Sequence, residues 1–239
     1  MRRARILHKA GFLGIFACLG LLPCGSAVHA ATSAPAKQAA SPVPVIVVQP
    51  AIVANSNPAV PLAAVVTLQA RNAIAVDVSV QERLAGRPDR SWRVSAPVAS
   101  DGSVSLPIVG FRHSSDLTLT IALRNAKGTM TPLPNNLAYR APAAPDVGLN
   151  WPRIDTDEID RTRVEPGITF VSVRRNFLER GSLMTPRQRD FQRKFGLIIA
   201  LNEDGEVVWY YRSPQRIAGI QSMPDGRILM TLADQRTRI

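Results

Sequence analysis

Residues 196–234 read GLIIALNEDGEVVWYYRSPQRIAGIQSMPDGRILMTLAD. Two Asp-Gly pairs, Asp204-Gly205 and Asp225-Gly226, each sit between apolar, strand-forming runs. Such a pair is a strong hairpin signal, because glycine takes the positive φ that side chains resist. The stretch therefore predicts four consecutive antiparallel strands: GLIIAL, EVVWYYR, IAGIQSM and RILMTLAD. Four strands over about 40 residues make one repeat unit of a β-architecture that needs neighbouring units to bury its faces.

Upstream, residues 45–140 also read as β-structure. Ile74, Val76, Val78 and Val80 alternate with polar residues such as Asp77 and Ser79. Leu117, Leu119, Ile121 and Leu123 repeat the pattern. Period-two alternation marks a strand with one buried face. VIVVQ, AAVVTLQA, SWRVSAP and SVSLPIVG complete a set of short strands, and Asp101-Gly102 supplies a turn. About ten residues separate successive strands, which predicts a β-sandwich of the immunoglobulin or fibronectin type III kind. The fold class expected for the whole chain is all-β: this sandwich, then the first blade of a truncated β-propeller. Leu117 stands where many such sandwiches carry a tyrosine, so no tyrosine corner is expected.

The first 30 residues belong to neither unit. Arg2, Arg3, Arg5 and Lys9 precede the apolar run GFLGIFACLGLL, and Val28-His29-Ala30 has small residues at the positions before a cleavage point. This is the pattern of a secretory signal peptide, so the chain is expected to be periplasmic or secreted. The apolar run is shorter than the ~20 residues of a membrane span, so no transmembrane segment is expected after cleavage. A retained anchor helix is the alternative; a lipoprotein reading through Cys24 is disfavoured by Pro23 before it. Cys18 and Cys24 both lie in this segment, so the mature chain has no disulfide, thiolate zinc site or cysteine nucleophile. Removing residues 1–30 takes away four basic residues and no acidic ones, which lowers the net charge from +11 to +7. The basic residues lack the aromatic interleaving of single-strand binding, so no nucleic-acid partner is expected. In an exported chain the charge favours solubility near anionic surfaces, or attraction of anionic substrates.

Residues 31–44, rich in Ala, Ser and Pro, form a flexible leader. Residues 141–166 read as a linker with four prolines. Its acidic patch, Asp155, Asp157, Glu158 and Asp160, lacks the glycine and distal glutamate of a calcium loop, so it is read as solvated chain. ITFVSV, 168–173, is a strand. Residues 174–195 follow, with seven basic and two acidic side chains. Within this insert Thr185-Pro186 predicts a helix start, and Phe191 and Phe195 are spaced to share a helix face. A surface insert with one short helix is the plain reading; an anion or lipid-headgroup site is the functional one.

Three stretches carry a resemblance to a known family. NPAVPLAAVV (57–66), EPGITFVSV (165–173) and the 196–234 stretch are similar to bacterial aryl-sulfate sulfotransferases. The resemblance implies an N-terminal immunoglobulin-like domain at 45–140 and the start of a six-bladed propeller at 167–239. It also implies a homodimer formed through the N-terminal domain. The family's activity moves sulfate from a phenolic sulfate ester to a phenol acceptor through a sulfated histidine, with no nucleotide donor. Imidazole suits such a two-step displacement, because it is a neutral nucleophile near pH 7. In this chain His8 and His29 lie in the signal segment, which leaves His113 in GFRHSSD, read as a surface-loop residue. No catalytic, cofactor or metal residue is therefore assigned to this chain. The family's nucleophile is expected in later blades, and the chain is expected to be inactive alone. Trp209, Tyr210 and Tyr211 are read as core packing between strands, with an aromatic-substrate platform as the alternative. An exported, non-enzymatic binding or dimerisation module, or a propeller of another function, is the alternative to the sulfotransferase reading.

Overall fold

A computed structural model describes residues 42–156, 159–160, 162–175, 177, 181–233 and 237–238. The signal segment, most of the leader, and Asp157 and Glu158 of the acidic patch lie outside these residues. Apart from one α-helix and one 3-10 turn, the regular elements among the described residues are strands. They form several antiparallel sheets, none of which closes on itself.

The first sheet has the order β1-β2-β5, with β1 at Val45–Ala54, β2 at Ala64–Arg71 and β5 at Ser103–Ile108. Its two edges carry the prolines Pro50 and Pro107. Proline cannot donate to a ladder, so such residues belong on an edge. The ladder between β1 and β2 also shifts register twice around Ile46–Ala51. Such bulges blunt an edge that would otherwise recruit another strand. The second sheet runs β4-β3-β6-β7, with β3 at Ala75–Arg83, β4 at Arg90–Pro97, β6 at Asp116–Arg124 and β7 at Met130–Pro132. Strand β8, Leu137–Arg140, also pairs with β6.

The alternation read from the sequence sets which residues face inward. Ala64, Val66, Leu68 and Ala70 of β2, Val76, Val78 and Val80 of β3, and Leu117, Leu119, Ile121 and Leu123 of β6 share one apolar core with Val104, Leu106 and Ile108 of β5. Each large side chain removed from water there contributes about 1.5–3 kcal/mol. Ile74 departs from the expected pattern. It lies before β3 in a turn and is 53% exposed, its amide donating to the Arg124 carbonyl.

The second half begins with a sheet of order β11-β10-β9: β9 is Thr169–Val173, β10 is Gly196–Leu201 and β11 is Val207–Ser213. β10 is buried along nearly its whole length. Leu197 and Ile199 point into the core just described, whereas Ile198 joins Ile217 and Leu232 in a smaller cluster on the opposite face. That is why GLIIAL shows no alternation: both of its faces are covered. β12, Ile217–Ser222, and β13, Ile228–Leu232, pair in a further sheet completed by β14, Thr237–Arg238. Both expected Asp-Gly hairpins are present, with φ +69° at Gly205 and +82° at Gly226.

The expected single four-stranded sheet over 196–234 is therefore corrected. The ladder breaks after Ser213, and β9 takes the third place beside β10 and β11. The backbone groups that would continue it are engaged elsewhere. The Arg212 amide donates to the Ala59 carbonyl, and the Arg216 amide to the Arg193 carbonyl. Between them Ser213-Pro214-Gln215 passes over the start of β10, so close that a Cβ on Gly196 would lie 2.1 Å from the Gln215 carbonyl oxygen.

Helix α1, Pro186–Lys194, starts as the sequence predicts. Thr185 caps it, its hydroxyl accepting from the Gln188 amide while the Gln188 side chain accepts from the Thr185 amide. Such a reciprocal box satisfies two amides that the first turn leaves unpaired. Phe191 and Phe195 stack with centroids 5.5 Å apart, as their spacing implies.

Gly196 gives a direct test of this connection. Gly196→Ala is expected to cost about 2–3 kcal/mol through backbone displacement. Gly219→Ala, where an added Cβ meets nothing within 4 Å, is expected to leave stability within about 0.5 kcal/mol. Urea denaturation of the two variants measures both, and equal midpoints would disprove the close crossing.

Candidate functional site

β3 ends with an inward-facing position that is not apolar. Continuing the parity of Val76, Val78 and Val80, the next inward residue is Glu82, whose side chain is 0% exposed. A carboxylate in such a place is costly unless it is paired and hydrogen-bonded. Arg112 supplies both: its backbone amide donates to Glu82 Oε1, and its Nε lies 3.2 Å from Oε2. Arg90 Nη1 lies 3.1 Å from the same Oε2. Arg112 is itself buried and spends its remaining donors in two directions. Nη2 donates to the Pro88 carbonyl, and Nη1 reaches Glu206 Oε2 at 3.4 Å.

Glu206 follows the Asp204-Gly205 turn, and local chemistry holds it there. Asn202 Oδ1 accepts from the amides of Asp204 and Glu206, and Asn202 Nδ2 donates to Glu206 Oε2. Arg87 adds a second cation, 3.4 Å from Glu206 Oε1. Gly205 is needed here for space as well as for its φ, because a Cβ would meet the Thr156 hydroxyl at 2.4 Å. Two carboxylates and three guanidinium groups thus tie β3, the loop after β5 and the β10–β11 hairpin to one another.

Beside this ion cluster lies an aromatic one. The His113, Trp151 and Tyr210 rings form a mutually touching triangle: His113 lies 5.8 Å from Trp151 and 5.6 Å from Tyr210, and Trp151 meets Tyr210 edge-on at 4.7 Å. The Arg212 guanidinium lies over the Tyr210 ring at 5.5 Å. His113 lies in the turn expected from the sequence, but it is only partly exposed and its ring packs against Trp151 and Tyr210. Both of its ring nitrogens are covered, and neither makes a hydrogen bond of normal geometry. Burial pushes its pKa below the usual histidine value; the nearby carbonyls of Pro142 and Ala143 oppose this without reversing it. Burial likewise raises the Tyr210 phenol, against a smaller opposite effect of Arg212.

A groove of about 330 Å³ runs past these groups, with His113, Trp151, Arg153 and Glu206 on its walls. Its cations are matched to carboxylates, Arg153 lying 2.8 Å from Asp155. A neutral, covered imidazole offers no lone pair to a substrate in this geometry. The arrangement acts as a brace, in which every charge has a partner.

Other expected features are placed as follows. Tyr210 faces the large core, whereas Trp209 and Tyr211 lie on the opposite face of β11, nearly parallel to each other, with Phe170 edge-on to Trp209. All three pack between strands. In the acidic patch, Asp160 accepts from the Thr162 amide and hydroxyl. No group of three or more potential metal ligands occurs among the described residues. Glu82, Arg112 and Glu206 are absent from the residues singled out in the sequence. Parity along β3 signals Glu82, but of its partners only Arg90 is near in sequence, and Arg112 lies 30 residues away.

Removing Arg112 should expose the value of the brace. Arg112→Met keeps bulk and the backbone hydrogen bond but removes the buried guanidinium that Glu82 and Glu206 share, leaving Arg90 as the cation on Glu82, an expected loss of about 3 kcal/mol. Glu206→Gln keeps a hydrogen-bonding group and should lose only about 1 kcal/mol. Chemical denaturation measures both, and a neutral Arg112→Met would disprove the brace. His113 gives a pH signature. Because its folded pKa is lowered, the unfolded chain takes up the proton first. The stability it contributes is complete above the unfolded value near 6.5 and declines as pH falls from there to the folded value. His113→Phe should flatten this part of the stability–pH profile; an unchanged slope would show that another group causes it. Compared with protein-family models, curated proteins and solved structures, the chain matches none.

Proposed function

We propose that this chain is the N-terminal part of an exported protein of the aryl-sulfate sulfotransferase type. In this reading residues 45–140 form a fibronectin type III-like sandwich, and residues 167–239 open a β-propeller. The resemblance of residues 57–66, 165–173 and 196–234 carries the family reading, and the ion brace supports the arrangement of its two parts. Arg112 links the first unit to the first Asp-Gly hairpin, so the sandwich serves as a base that orients the opening sheet. The strand partition supports the type of sandwich. The fourth strand pairs with the third, whereas in the constant immunoglobulin type it joins the sheet of the first two. Successive open sheets, packed through Ile198, Ile217 and Leu232, support the start of a repeat array.

Catalysis then belongs to later blades, where the resemblance puts the sulfated histidine and the site for the phenolic sulfate ester and phenol acceptor. The purified 239-residue chain is expected to release no nitrophenol from para-nitrophenyl sulfate in the presence of phenol. Turnover by it would overturn the division of labour. The gene is expected to continue past Ile239 with further Asp-Gly hairpins and a histidine-bearing motif; a stop or unrelated sequence would overturn the family reading. The second reading is an exported binding or dimerisation module. The exposed valines of β1, Val45, Val47, Val48 and Val53, favour it. Analytical ultracentrifugation separates the two: a tight dimer from a gene that stops at Ile239 favours the module.

A further inference from the structure

The net charge of the chain is unevenly distributed. Residues 174–195 carry seven basic and two acidic side chains, a net +5 within 22 residues, against +11 for all 239. The structure sorts this charge by face. At 3.6 residues per turn, Gln188, Phe191, Gln192 and Phe195 lie on one side of the helical segment. Phe191 and Phe195 stack there, Phe177 meets Phe191 edge-on, and Gln192 donates to the Arg175 carbonyl. The opposite side holds Arg187, Arg189, Arg193 and Lys194 around Asp190, the one carboxylate of α1. All four cations are exposed. Asp190 is already shared by Lys194 at 2.8 Å and Arg193 at 3.9 Å. Arg189 and Arg175 donate to backbone carbonyls, and neither meets a carboxylate among the described residues.

Leu183 ends the 3-10 turn that precedes the helix, two residues before the capping Thr185. It is 77% exposed, more than any other large apolar side chain among the described residues. A four-cation face with an exposed leucine at its leading end combines the two elements of peripheral membrane attachment: attraction to anionic headgroups and a side chain for the interface. We propose that the outer face of α1, with Leu183, docks the protein onto an anionic phospholipid bilayer. Charge complementarity selects the lipid, and the stacked phenylalanines hold the helix so that its cations face outward together. A polyanion such as a nucleic acid would use the charge but leave the leucine without a role.

Co-sedimentation of the full chain with phosphatidylglycerol-rich vesicles tests this, with pure phosphatidylcholine vesicles as the comparison. Removing Arg187, Arg193 and Lys194 together as glutamines is expected to weaken binding to anionic vesicles by roughly a hundredfold, about fivefold for each cation. Removing Arg71, Arg93 and Arg163 as glutamines lowers net charge equally, and it is expected to leave vesicle binding within about threefold of the unsubstituted chain. Both triple variants retain residues 1–30, so any membrane affinity of that segment cancels in the comparison. Leu183→Ala is expected to weaken binding severalfold. Equal weakening by both triple variants, or unchanged binding of the helix variant, would overturn the proposal. So would equal binding to the two lipids, or Leu183→Ala behaving as the unsubstituted chain while the protein is retained on a soluble polyanion.

Discussion

Arg112 stands between two carboxylates from distant parts of the chain. Glu82 ends a strand of the first unit, and Glu206 lies 94 residues beyond Arg112, after the first Asp-Gly turn. Apolar surfaces tolerate small slides against each other, whereas a guanidinium fork shared by two acids accepts few arrangements. Charge burial of this sort is a poor source of net stability, because desolvation offsets most of the Coulomb gain. Its consequence here is geometric. It holds the β10–β11 hairpin at one position against the loop after β5, and β10 then presents a face to each of two cores.

The neighbouring aromatic cluster depends on that placement. Trp151 comes from the connector, His113 from the loop after β5 and Tyr210 from β11. The rings meet because the brace and the core have already brought their backbones together. Burial keeps His113 neutral over a wider pH range than a free imidazole, so the stack need not hold a desolvated cation at neutral pH. Neutrality alone would suit a nucleophile, but the covered ring nitrogens do not, since an attacking nitrogen needs an open approach. The groove beside it is bounded by charges that already have partners. These features suit a structural role for this region.

Much of the secondary structure was legible along the chain. Strands with one covered face showed period-two alternation, the turns carried Asp-Gly, and the helix announced itself through Thr185-Pro186. Each of these signals is local, because each arises from backbone sterics or from neighbours a few residues away. GLIIAL was legible as a strand, but not as one covered on both faces by different cores. The partition of strands among sheets was harder still. Nothing near Ser213 states that the Arg212 amide will find Ala59, so the ladder of 196–234 was expected to continue where it breaks. Ile74 followed the apolar alternation, yet a turn placed it outside the core.

The sequence alone determined the all-β character, the hairpin positions, the helix cap and the concentration of positive charge in one insert. It determined these because propensity, turn chemistry and charge are properties of short segments. Tertiary structure alone decided that Glu82 is a buried anchor, that Arg112 serves two carboxylates, and that His113 packs against Trp151 and Tyr210. Pairing and desolvation are set by groups brought together across 30 to 94 residues of chain. A carboxylate or an imidazole carries no local mark of the surroundings that will change its chemistry.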